Sequence, residues 1–173
     1  IENVNIDALE RLEMEGVKVF PKPSVLRIIK NKVRQKEYYL ENGIPTAEFA
    51  IIQNKNEIGQ LTHLLPAVQK LAEGGYDGRG VQIIDNLSNS HLFFDEHSVL
   101  EKKIRIKKEI AQIVAIDQEG KTALYPPVEM MFNKDLNQLD FQLCPAEITQ
   151  QVLWKVEAIA LKVVRNFNSA GLF

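Results

Sequence analysis

The chain is poor in several things. It has one cysteine, Cys144, in 173 residues. No internal disulfide can form, which fits a reducing, cytoplasmic setting. It has one tryptophan, Trp154, and no apolar run longer than a few residues. No segment therefore has the length of a membrane-spanning helix. It has little net charge: Lys plus Arg is 21, Asp plus Glu is 23, and the balance is −2. A broad basic surface for nucleic acid or for a membrane is excluded, although a local basic pocket is not. No internal repeat or low-complexity tract stands out. With 45% hydrophobic and 25% charged residues, the composition is that of an ordinary folded protein. A chain of this length makes one domain or two small ones and buries about 70% of its unfolded surface. It needs no disulfide or metal to fold.

Periodicity gives the elements. Ile6, Leu9 and Leu12 mark a short amphipathic helix stopped by Gly16. Val17 to Phe20 reads as a short strand closed by Pro21 and Pro23. Ser24 suits the N-cap of a helix carrying Val25, Leu26, Ile28 and Ile29. Asn31 suits the N-cap of another, running through Leu40, with Lys32, Arg34, Lys36 and Glu37 on its polar side and Gly43 at its exit. Glu48 to Gln53 is a strand, Asn56 to Leu65 a helix. Ala67 to Leu71 and Val81 to Asp85 are strands joined by a glycine-rich loop. Val99 to Ile106, Glu109 to Ile116, Lys121 to Tyr125 and Leu139 to Leu143 are further strands, with a turn at Asp117 to Gly120. Ile148, Val152, Val156, Ile159, Val163 and Phe167 set out one long closing helix. Helices first, then strands, then a helix make an α+β fold with mainly antiparallel strands.

One segment carries chemistry. Lys70 precedes Gly74-Gly75-Tyr76-Asp77-Gly78-Arg79-Gly80, which has four glycines in seven residues. Such a backbone reaches positive φ and comes close to a ligand. Its successive N–H groups can form an anion-binding concavity. Arg79 adds a forked phosphate contact and Lys70 a mobile charge. The spacing is not that of a Walker A loop, and no helix follows as in a dinucleotide fold. A strand, glycine loop, strand flap over phosphates is the physical reading; an ordinary long hairpin with a glycine tip is the plain alternative.

Gly75 to Gly80, with Lys70 five residues before Gly75, resembles the phosphate-covering loop of the 5-(carboxyamino)imidazole ribonucleotide synthases. This family, the ATPase subunit of phosphoribosylaminoimidazole carboxylase, has the ATP-grasp fold. The flanking residues carry the resemblance along the chain in order. They are Ile1-Glu2-Asn3-Val4, Val19-Phe20-Pro21-Lys22-Pro23, Gln35-Lys36, Gly43-Ile44-Pro45-Thr46-Ala47, and Tyr125-Pro126 followed by Glu129.

The resemblance implies a set of ATP-binding residues. Lys70 would contact the phosphates, and Gly75, Tyr76, Asp77, Gly78, Arg79, Gly80 and Val81 would cover them. Lys32, where relatives often have Arg, would contact the α-phosphate. Glu101, Lys102, Lys103 and Ile104 would form the hinge whose backbone meets the adenine. Glu109 would hold the ribose hydroxyls, and Glu129 lies on the later strand. Plainer readings stand beside these: Lys32 as a solvated helix lysine, Glu101 and Glu109 as charged strand ends. Ile116 stands where many relatives have Arg, Met130 where they often have Asn, and Val81 where they usually have Gln. His63, His91 and His97 show no metal spacing, Cys144 reads as packing, and Trp154 reads as core.

The resemblance also implies the reaction. ATP would phosphorylate bicarbonate to carboxyphosphate, which would carboxylate 5-aminoimidazole ribonucleotide with release of ADP and phosphate, in purine biosynthesis. Mg²⁺ would be required, with its acidic ligands expected outside this chain. The full-length enzyme would be a homodimer. Residues 1–30 would be the entry segment and helix, 31–103 the small subdomain with the flap, and 104–173 the first part of the larger antiparallel-sheet subdomain. Both ends look cut from something longer, so the chain alone is expected to be inactive, with an apolar face of its final helix left uncovered. Another ATP-grasp ligase with a different acceptor, and a non-catalytic module on the same scaffold, are the alternative readings.

Overall fold

The computed structural model describes residues 4–75, 80–133 and 138–173. The resemblance at Ile1 to Asn3 lies outside them. Three helices come first: α1 (Ile6–Met14), α2 (Pro23–Lys30) and α3 (Lys32–Glu41). The Asn5 side chain caps α1 by accepting from the Ala8 amide at 3.1 Å. Arg27 of α2 donates to both carboxylate oxygens of Glu10, at 3.0 and 2.8 Å, and also meets Asp7. It thereby ties α2 to α1. As expected, Asn31 caps α3, accepting from the Arg34 amide at 3.0 Å, and Gly43 follows it at a φ of +56°.

Two expectations fail in this region. Ser24 is not a cap: Pro23 takes the first helical position and Lys22 the cap. Proline's fixed φ suits that position, and its missing N–H is not needed there. Val17 to Phe20 is not a strand. Pro21 and Pro23 offer no N–H to a ladder, and Val17 and Phe20 stay exposed.

The main sheet is antiparallel, built from β1 (Phe49–Ile52), β2 (Ala67–Leu71), β3 (Val81–Ile84) and β4 (Ser98–Lys102) in the order β1-β4-β2-β3. Period-two alternation sorts its residues to two faces. One face gives Ile52, Ala67, Ile84 and Leu100 to a core completed by Ile58, Leu64 and Phe93. The other gives Val99, Phe49 and Ile51, which pack with Val33 of α3 and with Ala72. The helix expected over 56–65 is instead two 3₁₀ segments, Lys55–Gln60 and Thr62–Leu64. Gly59 within the run and Pro66 just after it deny an α-helix its length.

The strand expected from Val99 to Ile106 stops at Lys102. Beyond it Ile104 and Ile106 are exposed, with no neighbouring strand among the described residues. The run from Glu109 to Ile116 is two strands, β5 (Glu109–Ala111) and β6 (Val114–Ile116), in different sheets. Between them the Gln112 amide donates to the carbonyls of Ile113 and Tyr125, so the chain crosses between sheets there. β6 lies between β7 (Thr122–Leu124) and β10 (Gly171–Leu172). β5 pairs with β8 (Val128–Asn133), which pairs with β9 (Gln138–Leu143).

The closing helix α4 (Gln150–Asn166) docks by few but specific contacts. The Tyr38 hydroxyl donates to the Val163 carbonyl at 2.6 Å. Tyr38 stacks on Phe167 at 4.9 Å, and Phe167 lies 5.2 Å from Phe173. Lys162 donates to the Gly43 carbonyl at 2.8 Å. Only Val164 of α4 is fully buried, while Val152, Trp154 and Ile159 are exposed. Trp154 is thus not core, and Cys144 is exposed rather than packed.

Two substitutions test this packing. Leu100→Ala, at a fully buried site, should cost about 3 kcal/mol in urea unfolding. Tyr38→Phe should cost about 1 kcal/mol, the net worth of one hydrogen bond. A Tyr38→Phe protein as stable as the parent would mean that the α3–α4 contact contributes nothing.

Candidate functional site

The root of the glycine loop is pinned from three sides. The Leu71 amide donates to the Gly80 carbonyl at 2.9 Å, which closes the loop at its base. The Lys32 amide donates to the Ala72 carbonyl at 2.9 Å, and the Asn31 side chain donates to Glu73 at 2.8 Å. The start of α3 is therefore fixed to the end of β2. Gly80 has a φ of +75°, and a Cβ there would lie 2.9 Å from the Gly75 Cα. Glycine is needed at that position on both counts. Tyr76, Asp77, Gly78 and Arg79 lie outside the described residues. Val81 opens β3 directly opposite Lys70.

Beside this root stands an ionic cluster. Lys70 on β2 pairs in register with Val99 on β4, and Val68 pairs with Glu101. Lys70 and Glu101 are thus diagonal neighbours on one face of the sheet, within reach for long side chains. Lys70 Nζ lies 2.7 Å from Glu101 Oε2, a charge contact not aligned as a hydrogen bond. Glu101 Oε1 accepts from Lys36 Nζ of α3, also at 2.7 Å. Lys36 donates in addition to Thr46 Oγ1 and sits 5.3 Å over the Phe49 ring. The side chains of Glu101 and Lys36 are only 13% and 11% exposed, that of Lys70 34%.

Burial alone would push the Glu101 carboxyl up, but its contacts with Lys36 and Lys70 prevail and hold it below its usual 4.5. Tyr39 is pushed up, first by burial and then by the Glu101 charge. Lys32, in the first turn of α3, is held below the usual lysine range, first by burial and then by the Lys70 charge. No acidic residue stands in that first turn, and no carboxylate pairs with Lys32 among the described residues. Lys32, Lys36 and Lys70 outnumber Glu101 and the Glu73 carboxylate held by Asn31, so the balance stays positive by one, where the helix dipole is also positive. An anion is what this arrangement lacks.

The remaining residues singled out in the sequence are placed as follows. The Lys102 and Lys103 amides donate to the carbonyls of Glu48 and Pro66, both at 2.8 Å. The Ile104 amide has no main-chain acceptor among the described residues. Glu109 on β5 lies opposite Met130, and Glu129 on β8 lies opposite Ile110. Glu129 is buried and held by Lys108 at 2.7 Å, and Lys108 also donates to the Glu147 carbonyl. Neither Glu109 nor Glu129 has an ion pair with the lysine cluster among the described residues. Ile116 is buried in β6, between its register partners Thr122 and Gly171.

Sequence reasoning missed Lys36 and Lys108. It placed Lys36 on the polar side of its helix, whereas Lys36 is buried. The signal was there: Lys36 is three residues after Val33, so both fall on the face that packs against the sheet. For Lys108 no signal was available, because its partner Glu129 comes from a distant strand.

A model of the ATP-grasp domain matches residues 37–173. The chain belongs to the ATP-grasp family. Within it the chain is homologous to the N5-carboxyaminoimidazole ribonucleotide synthases across many species. It is 30% identical, over its whole length, to 33% of the phosphoribosylaminoimidazole carboxylase of Ogataea methanolica. It superposes with a TM-score of 0.83 and 30% identity on N5-carboxyaminoimidazole ribonucleotide synthetase from Thermotoga maritima, covering 99% of this chain and 44% of that one. The carboxyaminoimidazole ribonucleotide synthase of Aspergillus clavatus, complexed with ATP, gives a TM-score of 0.85 at 28% identity, with 99% of this chain and 46% of that chain covered. The chain thus spans between a third and a half of these relatives.

The lowered Glu101 carboxyl has a consequence for stability. A carboxyl whose folded value is depressed stabilises fully above its unfolded value and loses that contribution as pH falls through the folded one. Glu101→Gln should therefore be less stable than the parent at pH 7, with the gap closing as pH drops below 4.5. Urea unfolding across that range is the measurement. A gap that stays constant down to about pH 3 would remove Glu101 from the account.

Proposed function

We propose that this chain is the nucleotide-binding part of an ATP-dependent carbon–nitrogen ligase. In the whole protein, ATP would activate bicarbonate as carboxyphosphate, and the carboxyl group would pass to the amine of 5-aminoimidazole ribonucleotide, giving ADP and phosphate. The product of that step, a carboxyaminoimidazole ribonucleotide, is the one in the relatives' names, and one relative is named a purine synthesis protein. The observation that carries the reading is the excess of positive charge at the pinned root of the glycine loop, where Lys32 has no carboxylate partner among the described residues and Lys70 shares Glu101 with Lys36.

The roles divide by chemistry. Lys70 and Lys32 bind phosphate oxygens and stabilise charge as the terminal phosphoryl group moves. The loop from Gly75 to Val81 covers those oxygens and excludes water, which a reactive acyl phosphate requires. The hinge at Glu101 to Ile104 receives the adenine through the main chain. With the Lys102 and Lys103 amides already engaged, the Ile104 amide is the one that remains to donate. Glu109 accepts from the ribose hydroxyls. Residues 31–103 form the small subdomain and 104–173 the first part of the large one. The whole protein is a homodimer of the cytoplasm in this reading.

Mg²⁺ would screen the phosphates of bound ATP. Among the described residues no group of three or more His, Cys, Asp or Glu is suited to hold a metal. Its ligands are therefore not assigned to these residues, and no step is routed through it. In the same reading the chain by itself binds nucleotide without turning it over.

Calorimetric titration with ATP tests the proposal. The chain should bind, and Lys70→Ala should weaken binding at least tenfold, or about 1.4 kcal/mol. Lys32→Ala should weaken it in the same direction. An absence of binding, or an affinity that Lys70→Ala leaves unchanged, would overturn the reading.

A further inference from the structure

Lys36 is the one buried lysine among the described residues. Taking an ammonium out of water costs several kcal/mol unless it is well paired. An apolar residue at this position would pack against Val33 and the sheet at no such cost. The Lys36 ammonium is spent inward, on Glu101 Oε1 and Thr46 Oγ1, with the Phe49 ring beneath it. It presents little to solvent and so offers a ligand no contact of its own. What it controls is Glu101, whose other oxygen faces Lys70 at 2.7 Å.

We propose that Lys36 is a positioning residue for Lys70, acting through Glu101. Held by one oxygen, the carboxylate cannot turn both oxygens to Lys70. Its single negative charge is divided between two ammonium groups. Lys70 is therefore fixed in place, at the end of β2 where the glycine loop begins, without being neutralised. It keeps charge for an incoming phosphate. Without Lys36, the buried carboxylate has one cation left and takes it with both oxygens. A nucleotide would then have to compete for Lys70 against its own counter-ion. This inference rests on the nucleotide reading above only for its effect on ATP.

The test follows the Lys70 amine directly. Trace labelling with acetic anhydride, read by mass spectrometry, gives the acylation rate of each lysine in the nucleotide-free protein. Glu101→Gln should speed acylation of Lys70. Lys36→Met should slow it at least threefold, although Lys36 does not touch Lys70. Lys36→Arg should restore the parental rate, and Lys36→Met placed on Glu101→Gln should have no further effect. ATP affinity should fall about tenfold in Lys36→Met and recover in Lys36→Arg. Lys55→Ala, which removes a surface pair with Asp95, should change neither readout. Thr46→Val removes only the outer anchor and should slow Lys70 in the same direction, which keeps the test open if Lys36→Met fails to fold. A Lys70 rate that is unchanged or faster in both Lys36→Met and Thr46→Val overturns the proposal. So do effects of Lys36→Met and Glu101→Gln that simply add. If the parent binds no ATP, the nucleotide reading fails, and the acylation rates still decide the role of Lys36.

Discussion

The Glu101 carboxylate is shared by two lysines from different elements, and much of the structure is arranged around that sharing. One partner comes from the neighbouring strand, the other from the helix packed on the sheet. Both contacts need the sheet register and the rotation of α3 to be right at once. A slip of one residue in β4 would send Glu101 to the opposite face, into the apolar core of Ile52, Ile58 and Leu100. A turn of α3 would replace Lys36 with an exposed neighbour. The apolar packing of Val33, Val99 and Ala72 supplies the close fit, and the charged pair makes that fit specific.

The same register places the glycine loop. β2 carries Lys70 and ends one residue later, and the loop is closed by the bond between Leu71 and Gly80. The strand that holds the cation is thus the strand that leads into the phosphate-covering loop of the proposed function. The start of α3 is tied to the same point through Lys32 and Asn31. Three structural units meet at one place, and each contributes either a cation or backbone donors. The positive end of the helix dipole adds to them.

Much of this was legible in the sequence. The caps at Asn31 and Gly43, the strands flanking the glycine loop and the place of Lys70 beside it all follow from local rules. What escaped is what depends on distant partners. Lys36 reads as a surface lysine until β4 supplies Glu101, and Glu129 reads as an isolated acid until Lys108 arrives from the segment before β5. The split of the Glu109 to Ile116 run is invisible for the same reason, since both halves have strand character and differ only in which sheet they join. The failure at Lys55 to Leu64 has another cause. Its apolar spacing is helical, but a glycine inside the run and a proline after it favour short 3₁₀ turns, and these still bury Ile58 and Leu64.

The ionic groups at Glu101 and at Glu129 differ in balance, and the contrast bears on what each can receive. At the main sheet Glu101 meets Lys36 and Lys70, and Lys32 stands near Lys70, so cations are in excess. At the β5-β8-β9 sheet Lys108 is paired with Glu129, and Glu109 has no ion pair among the described residues. An unpaired carboxylate repels phosphate and accepts hydroxyl hydrogens; an excess of ammonium groups does the reverse. A nucleotide has both kinds of surface, an anionic chain of phosphates and a neutral sugar with two hydroxyls. In the proposed function this division of charge matches phosphates against the lysines and the sugar near Glu109. Lys108 contributes to this by removing Glu129 from the charge balance.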